Sequence, residues 1–183
     1  MYETDEDLRR LQARLDTSHV GMGVHMRSIL TPDKRLTARQ VVAHLQGIRH
    51  VALATVTARG EPRVAPLDAL FIRGRFHLGT GGAATRLRHI EQRPAVSLTY
   101  FAGDEVAVTA HGWATRLPRG HPDVPALEVI YVALYGSSPF GWAPDVTLIR
   151  VEPTTMYAYA PRPDRFPERP TTPEIPLTGP APA

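Results

Sequence analysis

Between His50 and Thr80 the chain runs through three extended stretches joined by turns of only a few residues, and this spacing narrows the possible folds more than any other feature. "HVALATVT" is rich in β-branched residues, "ARGE" turns the chain, "PRVAPLDALFI" continues extended, and "RGR" turns it again into "FHLGT". Parallel neighbours would need crossovers of a dozen residues or more, so these strands form an antiparallel meander. Pro62 and Pro66 mark the second strand as an edge or as irregularly paired, because proline donates nothing to a ladder. Beyond a helix at 84–92, "PAVSLTYF", the turn "AGDE" and "VAVTAHGWATRL" predict another hairpin. A helix from about Pro125 to Tyr135 places Leu127, Ile130, Tyr131 and Leu134 on one face, and "VTLIRVEPTTMYAYA" reads as a last strand.

Upstream, "TDEDLRRLQARLDTS" sets Leu8, Leu11 and Leu15 at helical spacing behind a cap at Thr4 and Asp5. Glycine, histidine and proline break any period from Ser18 to Lys34, which predicts a connecting loop. A second helix starts at a Thr37 cap and carries Val41, Val42 and Leu45 before Gly47 ends it. The organisation expected is an N-terminal helix and loop over 1–35, one domain over 36–160, and a tail over 161–183. That tail holds eight of the 18 prolines, so it is expected to be disordered or to cross a partner subunit.

A chain of 183 residues that is 43% apolar suits one core. The absence of cysteine excludes disulfides, thiolate metal sites and a cysteine nucleophile. No window approaches the unbroken apolar run of a membrane span, and the first residues are acidic and polar, so a soluble, cytoplasmic protein is expected. The sequence pI of about 9.6 hints at an anionic partner. Lys34 is the only lysine among 21 basic residues, and the arginines are scattered without an aromatic-interleaved stripe, so a nucleic-acid partner is not expected. A small phosphorylated ligand fits the charge as well.

The segment "GTGGAATR", from Gly79 to Arg86, joins a strand to a helix. It satisfies a loose G-x-G-x-x-A pattern, but a dinucleotide fold needs a parallel strand pair, and a Walker loop needs a Gly-Lys-Ser/Thr triplet that is absent. Free N–H groups at a helix start attract anions in any case. Thr80 and Thr85 would add hydroxyls, and Arg86 a forked cation. Spacing alone leaves two readings open: an anion site, or a tight turn followed by a solvated arginine.

The order "VALATVTARGEPRVAPL", "FHLGTGG", "ATRLRHIEQRPAVSLTY", "VAVTAHGWA" resembles the FMN-binding split-barrel family typified by pyridoxamine 5′-phosphate oxidase, over roughly residues 36–160. The resemblance implies a mainly β fold, a six-stranded antiparallel split barrel with flanking helices. It implies a homodimer with FMN, coenzyme F-420 or, less often, haem in a groove between subunits. On the matching positions, Arg63 looks like the family's phosphate-binding arginine on the second strand, and Val64, Ala65, Pro66 and Leu67 would pass along the flavin edge. Gly79 and Thr80 end the third strand, and Thr85 and Arg86 occupy the first turn of the helix, Arg86 where lysine is usual. Asp68 stands where the vitamin-forming oxidases carry lysine, Ala107 where they carry glutamine, and their C-terminal substrate arginine and tryptophan have no match. These departures imply an FMN- or F-420-dependent oxidoreductase for another small organic substrate, not a true pyridoxamine 5′-phosphate oxidase. A flavin or haem carrier or sensor of the same fold is the alternative.

Of the eight histidines, His77 and His111 fall in strands expected near the groove, whereas His44, His50 and His89 read as surface or helix-end residues. None has metal-pair spacing, and no nucleophile elbow or acid–base carboxylate pair occurs. Catalytic residues therefore stay unassigned, as suits chemistry carried by a cofactor ring.

Overall fold

In the computed structural model, which describes residues 2–170, the β-rich stretches become six strands. They are β1 (Ile48–Val56), β2 (Pro62–Ile72), β3 (Arg75–Gly81), β4 (Ala95–Ala102), β5 (Val106–Leu117) and β6 (Val146–Tyr159). Every pairing is antiparallel and the sheet closes into a barrel in the order β1-β2-β3-β6-β5-β4, with β4 returning to β1. The fold is the mainly β, six-stranded barrel expected. The long β6 makes closure possible: it pairs with β3 on one side and with β5 on the other.

Two seams in the barrel are thin. β2 meets β3 only where Ala69–Ile72 face Arg75–Leu78, so residues 62–68, with both prolines, have β1 on one side and no β3 partner on the other. β1 meets β4 only through Ala52, Leu53 and Ala54. The helix α4 (Thr85–Gln92) packs near this second seam, against β1 and β5, with Leu87 and Ile90 buried.

The helix α1 (Asp5–Val20) begins with a capping box in which Thr4 and Asp7 satisfy each other's backbone N–H groups. Its Leu8, Leu11 and Leu15 belong to the same core as Phe76, Leu98, Val108 and Val151. Ser18 fixes it to the barrel: its Oγ accepts the Met156 N–H at 2.9 Å and donates to the Arg14 carbonyl. The expected loop over 18–34 contains a short helix, α2 (Val24–Ile29), and a 3₁₀ turn at Pro32–Lys34. Six residues with no buried side chain, just after Gly21 and Gly23, carry no apolar period to read. The helix α3 (Ala38–His44) has a second capping box, Thr37 with Gln40.

The helix α5 (Val124–Tyr135) lies outside the barrel, where Leu127, Ile130 and Tyr131 form a second core with Leu70, Ile72, Leu117 and Leu148. Leu134, expected on that face, is 39% exposed. The start of the proline-rich tail is folded onto the domain. A 3₁₀ turn spans Pro163–Arg165, the Gln40 amide donates to the Pro163 and Phe166 carbonyls, and the Phe166 ring lies 5.0 Å from that of His44. The expectation of a disordered or partner-crossing tail otherwise concerns 171–183, which lie outside the described residues. Among the described residues no helix is long and apolar enough to cross a membrane.

Candidate functional site

The turn after β3 shows why its glycines are there. A Cβ on Gly82 would stand 2.5 Å from the Asp145 carbonyl oxygen, so only glycine permits this approach of backbone to backbone. Asp145, just before β6, then accepts the Ala83 N–H through its carboxylate at 2.9 Å. The chain thus supplies its own anion to the first part of the turn, a contact that no local spacing announces. The following residue, Ala84, is the N-cap of α4 and has no side chain to satisfy the helix start. The amides and side chains of the first turn of α4 therefore face whatever lies before them.

Arg86 reaches back from that turn and donates from Nη1 to Thr80 Oγ1 at 2.8 Å, tying helix to strand. It lines a cavity of about 630 Å³ together with Arg63, Val64, Ala65 and Thr85. Thr55 and His89, joined Oγ1 to Nδ1 at 3.0 Å, form another part of its wall. Arg63 is held by Glu61 at 2.8 Å, but no carboxylate lines the cavity itself. Two guanidiniums, one of them paired with Glu61 outside the lining, and a threonine hydroxyl are donors suited to an anionic group, phosphate above all.

A second cavity of about 440 Å³ opens where β2 and β3 part, and it contains Pro66, Gly79 and Thr80. The nine residues singled out in the sequence therefore divide between two neighbouring cavities, five in the first and four, with Leu67, in the second. They abut at the Ala65–Pro66 peptide and at the Arg86–Thr80 hydrogen bond. Trp142 and Tyr131 supply aromatic wall to the second cavity. Trp142 packs edge-on against Tyr135 at 5.0 Å, and its indole N–H donates to Ser137. Asp68 accepts from the Tyr135 phenol and lies 3.1 Å from His50 Nε2. Burial first, then Asp68, pushes the Tyr135 phenol well above its ordinary value, and burial does the same for Tyr131. Both are therefore neutral O–H groups at any physiological pH. The Tyr131 hydroxyl is buried and has no hydrogen-bond partner among the described residues. An orphaned donor on the wall of an aromatic-lined cavity suits a ring system with polar edges.

Several of these residues escaped the sequence. Tyr131 was legible only as one member of an apolar helix face, and Trp142 sits in an irregular stretch. His50, read as a surface residue, is 81% exposed in side chain yet belongs to the second cavity. His77 and His111, in contrast, do not reach either cavity. At His77 the strand is still paired on both sides, with Leu70 and Arg150, and the ring is buried away from the opening. His111 lies on β5, bonded through Nδ1 to Ser97 Oγ at 2.7 Å. Among the described residues no three histidine, aspartate or glutamate side chains gather as a metal ion would require.

Residues 37–160 match the family described as pyridoxamine 5′-phosphate oxidase. The chain belongs to this family. The match spans both cavities and all six strands, and leaves α1 and α2 outside it. Solved structures with the same fold include a conserved hypothetical protein of Mycobacterium tuberculosis, 16% identical, with a TM-score of 0.62 over 74% of this chain and 91% of that one. The haem storage protein HutZ of Vibrio cholerae is 19% identical, with a TM-score of 0.54 over 61% of this chain and 85% of that one. An F-420 reductase is 21% identical, with a TM-score of 0.50 over 61% of this chain and 91% of that one. At these identities the likeness is one of fold. No curated protein sequence matches the chain significantly.

Proposed function

We propose that this member of the pyridoxamine 5′-phosphate oxidase family is an oxidoreductase that binds FMN or F-420 across the two cavities and acts on a small organic substrate. The observation that carries this reading is the pairing of an acid-free cavity holding Arg63 and Arg86 with an adjoining aromatic-lined slot in the β2–β3 seam. Arg63, Thr85 and Arg86 would hold the phosphate. Val64, Ala65, Pro66 and Leu67, which have no β3 partner, would turn their free backbone edge to the ring, with Gly79 and Thr80 opposite. When bound, such a ring accepts and returns a hydride. The chain's own part is to fix the ring, exclude water with Tyr131 and Trp142, and offer the Tyr131 O–H as a donor. Kinship of fold with an F-420 reductase supports the reading.

The active form is a cytoplasmic homodimer with the cofactor at the subunit interface. Val64, Phe101 and Trp113, which are 69%, 65% and 53% exposed in the single chain, are the apolar side chains such an interface would cover. Light scattering should give twice 20.2 kDa.

The site is tested by equilibrium dialysis of the purified protein against FMN, F-420 and haemin. Retention of FMN or F-420 is expected, and failure to bind either would overturn the proposal. A second reading, a haem carrier, rests on His50 at the second cavity with Asp68 beside it to orient its ring, and on the fold shared with HutZ. A Soret band on the protein as isolated would favour it over flavin absorption. Turnover with reduced cofactor separates an enzyme from a carrier.

A further inference from the structure

A third cavity, of about 180 Å³, lies between the β2–β3 turn and the start of α5, and shares no lining residue with the other two. Its apolar floor is Ile72, Leu127 and Ile130, and its charged rim is Arg73, Arg75 and Asp123. His77 also lines it, with an Nδ1 that is buried and has no hydrogen-bond partner among the described residues. We infer that this cavity is a second ligand site, built for a small carboxylate with an apolar body.

The charges around it are unequal. Asp123 is already engaged by Arg150 at 3.0 Å and faced by His121 at 3.7 Å, and Glu152 is shared between Arg75 at 2.9 Å and Arg150 at 3.2 Å. Arg73 has no ion-pair partner among the described residues. Its backbone N–H alone is bonded, to the Glu3 carboxylate. Arg14 adds a further guanidinium behind Gly74. The Arg73 guanidinium is thus left without a salt-bridge partner among the described residues, at the rim of an apolar floor.

The turn itself points the same way. Arg73 and Gly74 both have positive φ, 51° and 74°, the two-residue hairpin geometry in which asparagine or glycine is favoured at the first position. An arginine is held there against its steric preference, and non-glycine residues in such conformations cluster at ligand sites. His77 complements the site without adding charge, since burial, with Arg150 and Arg75 beyond, pushes its pKa down to about 4 despite Asp123. Its neutral ring offers one N–H or one lone pair. The size suits a single ring, as an apolar cavity of roughly 150 Å³ holds benzene. The carboxylate of Asp123 at the rim disfavours a dianion such as phosphate.

Benzoate, benzamide and inorganic phosphate are the probes, titrated into the full chain and followed by calorimetry and by the nitrogen resonances of the His77 ring. Saturable benzoate binding is expected, with perturbation of His77 and with affinity above that of either other probe. Arg73→Gly removes the cation and relaxes the turn, so the melting temperature should not fall. Benzoate affinity should drop by about tenfold or more, the worth of a charge-assisted hydrogen bond. Equal binding of benzamide, tighter binding of phosphate, or unchanged benzoate affinity in Arg73→Gly would overturn the inference. Loss of FMN binding would bear on the β2–β3 seam and leave this result standing.

Discussion

Arg86 and Arg63 approach one cavity from a helix and from a strand, and neither is interchangeable with an apolar residue if an anion is held between them. Each substitution, Arg86→Ala or Arg63→Ala, is expected to weaken FMN or F-420 binding by roughly 1.5–3 kcal/mol, with a smaller loss for Thr85→Ala. Fluorescence titration measures this, and unchanged affinity in both arginine variants would place the anion elsewhere. Arg86 could be named from its place after the glycine-rich turn, whereas Arg63 came only with the family resemblance. Asp145 and Tyr131 were not legible, since each meets the site through a contact across the fold, 62 residues away in the case of Asp145 and Ala83. Gly112 is a further residue that only the structure explains. It sits at the bulge between β5 and β6, and a Cβ there would fall 2.0 Å from the Glu152 carbonyl oxygen. Gly112→Ala should cost about 1–3 kcal/mol in urea unfolding, the usual penalty for forcing atoms into a filled space.

Among the elements, strands and their turns were readable because alternation and punctuation are local, and α1, α3, α4 and α5 because caps and periodicity are local too. The partnership of β6 with both β3 and β5 is a matter of long-range closure, and only the structure reveals it. The role of α1 was also hidden: the sequence shows an amphipathic helix, while the structure shows its leucines completing the barrel's own core. Leu15 is fully buried there, so Leu15→Ala should destabilise the whole domain by about 2–5 kcal/mol in a single cooperative transition. A separate early transition, with the barrel intact, would mean that α1 is an independent appendage.

The molecule as a whole should be sensitive to mild acid. His77 is buried and neutral, with a pKa near 4 in the folded chain against an ordinary 6.5, so the unfolded state binds more protons throughout that interval. The stability it confers is complete above pH 6.5 and drains away as pH falls toward 4, by up to about 3 kcal/mol. His19 and His44 are lowered as well, chiefly by burial, and act in the same direction. Asp7 follows at lower pH. Burial opposes its ionisation, but hydrogen bonds from Thr4 and the charge of Arg10 outweigh this, and its contribution is lost only as pH drops below the usual carboxylate range. Urea midpoints from pH 7.5 to 4 should decline steadily, and His77→Phe should flatten the slope if the domain folds. A flat profile in the parent protein would contradict the burial described.

Closing a sheet into a barrel removes the raw strand edges on which chains nucleate aggregates, and here the removal is incomplete. The stretch 62–68 of β2 keeps one flank without a β3 partner, and two of its seven residues are prolines, which have no N–H to offer a passing strand. An opening of this kind would otherwise template a foreign strand, so Pro62→Val with Pro66→Val should raise light scattering in concentrated solutions, and any occupant of the opening should protect.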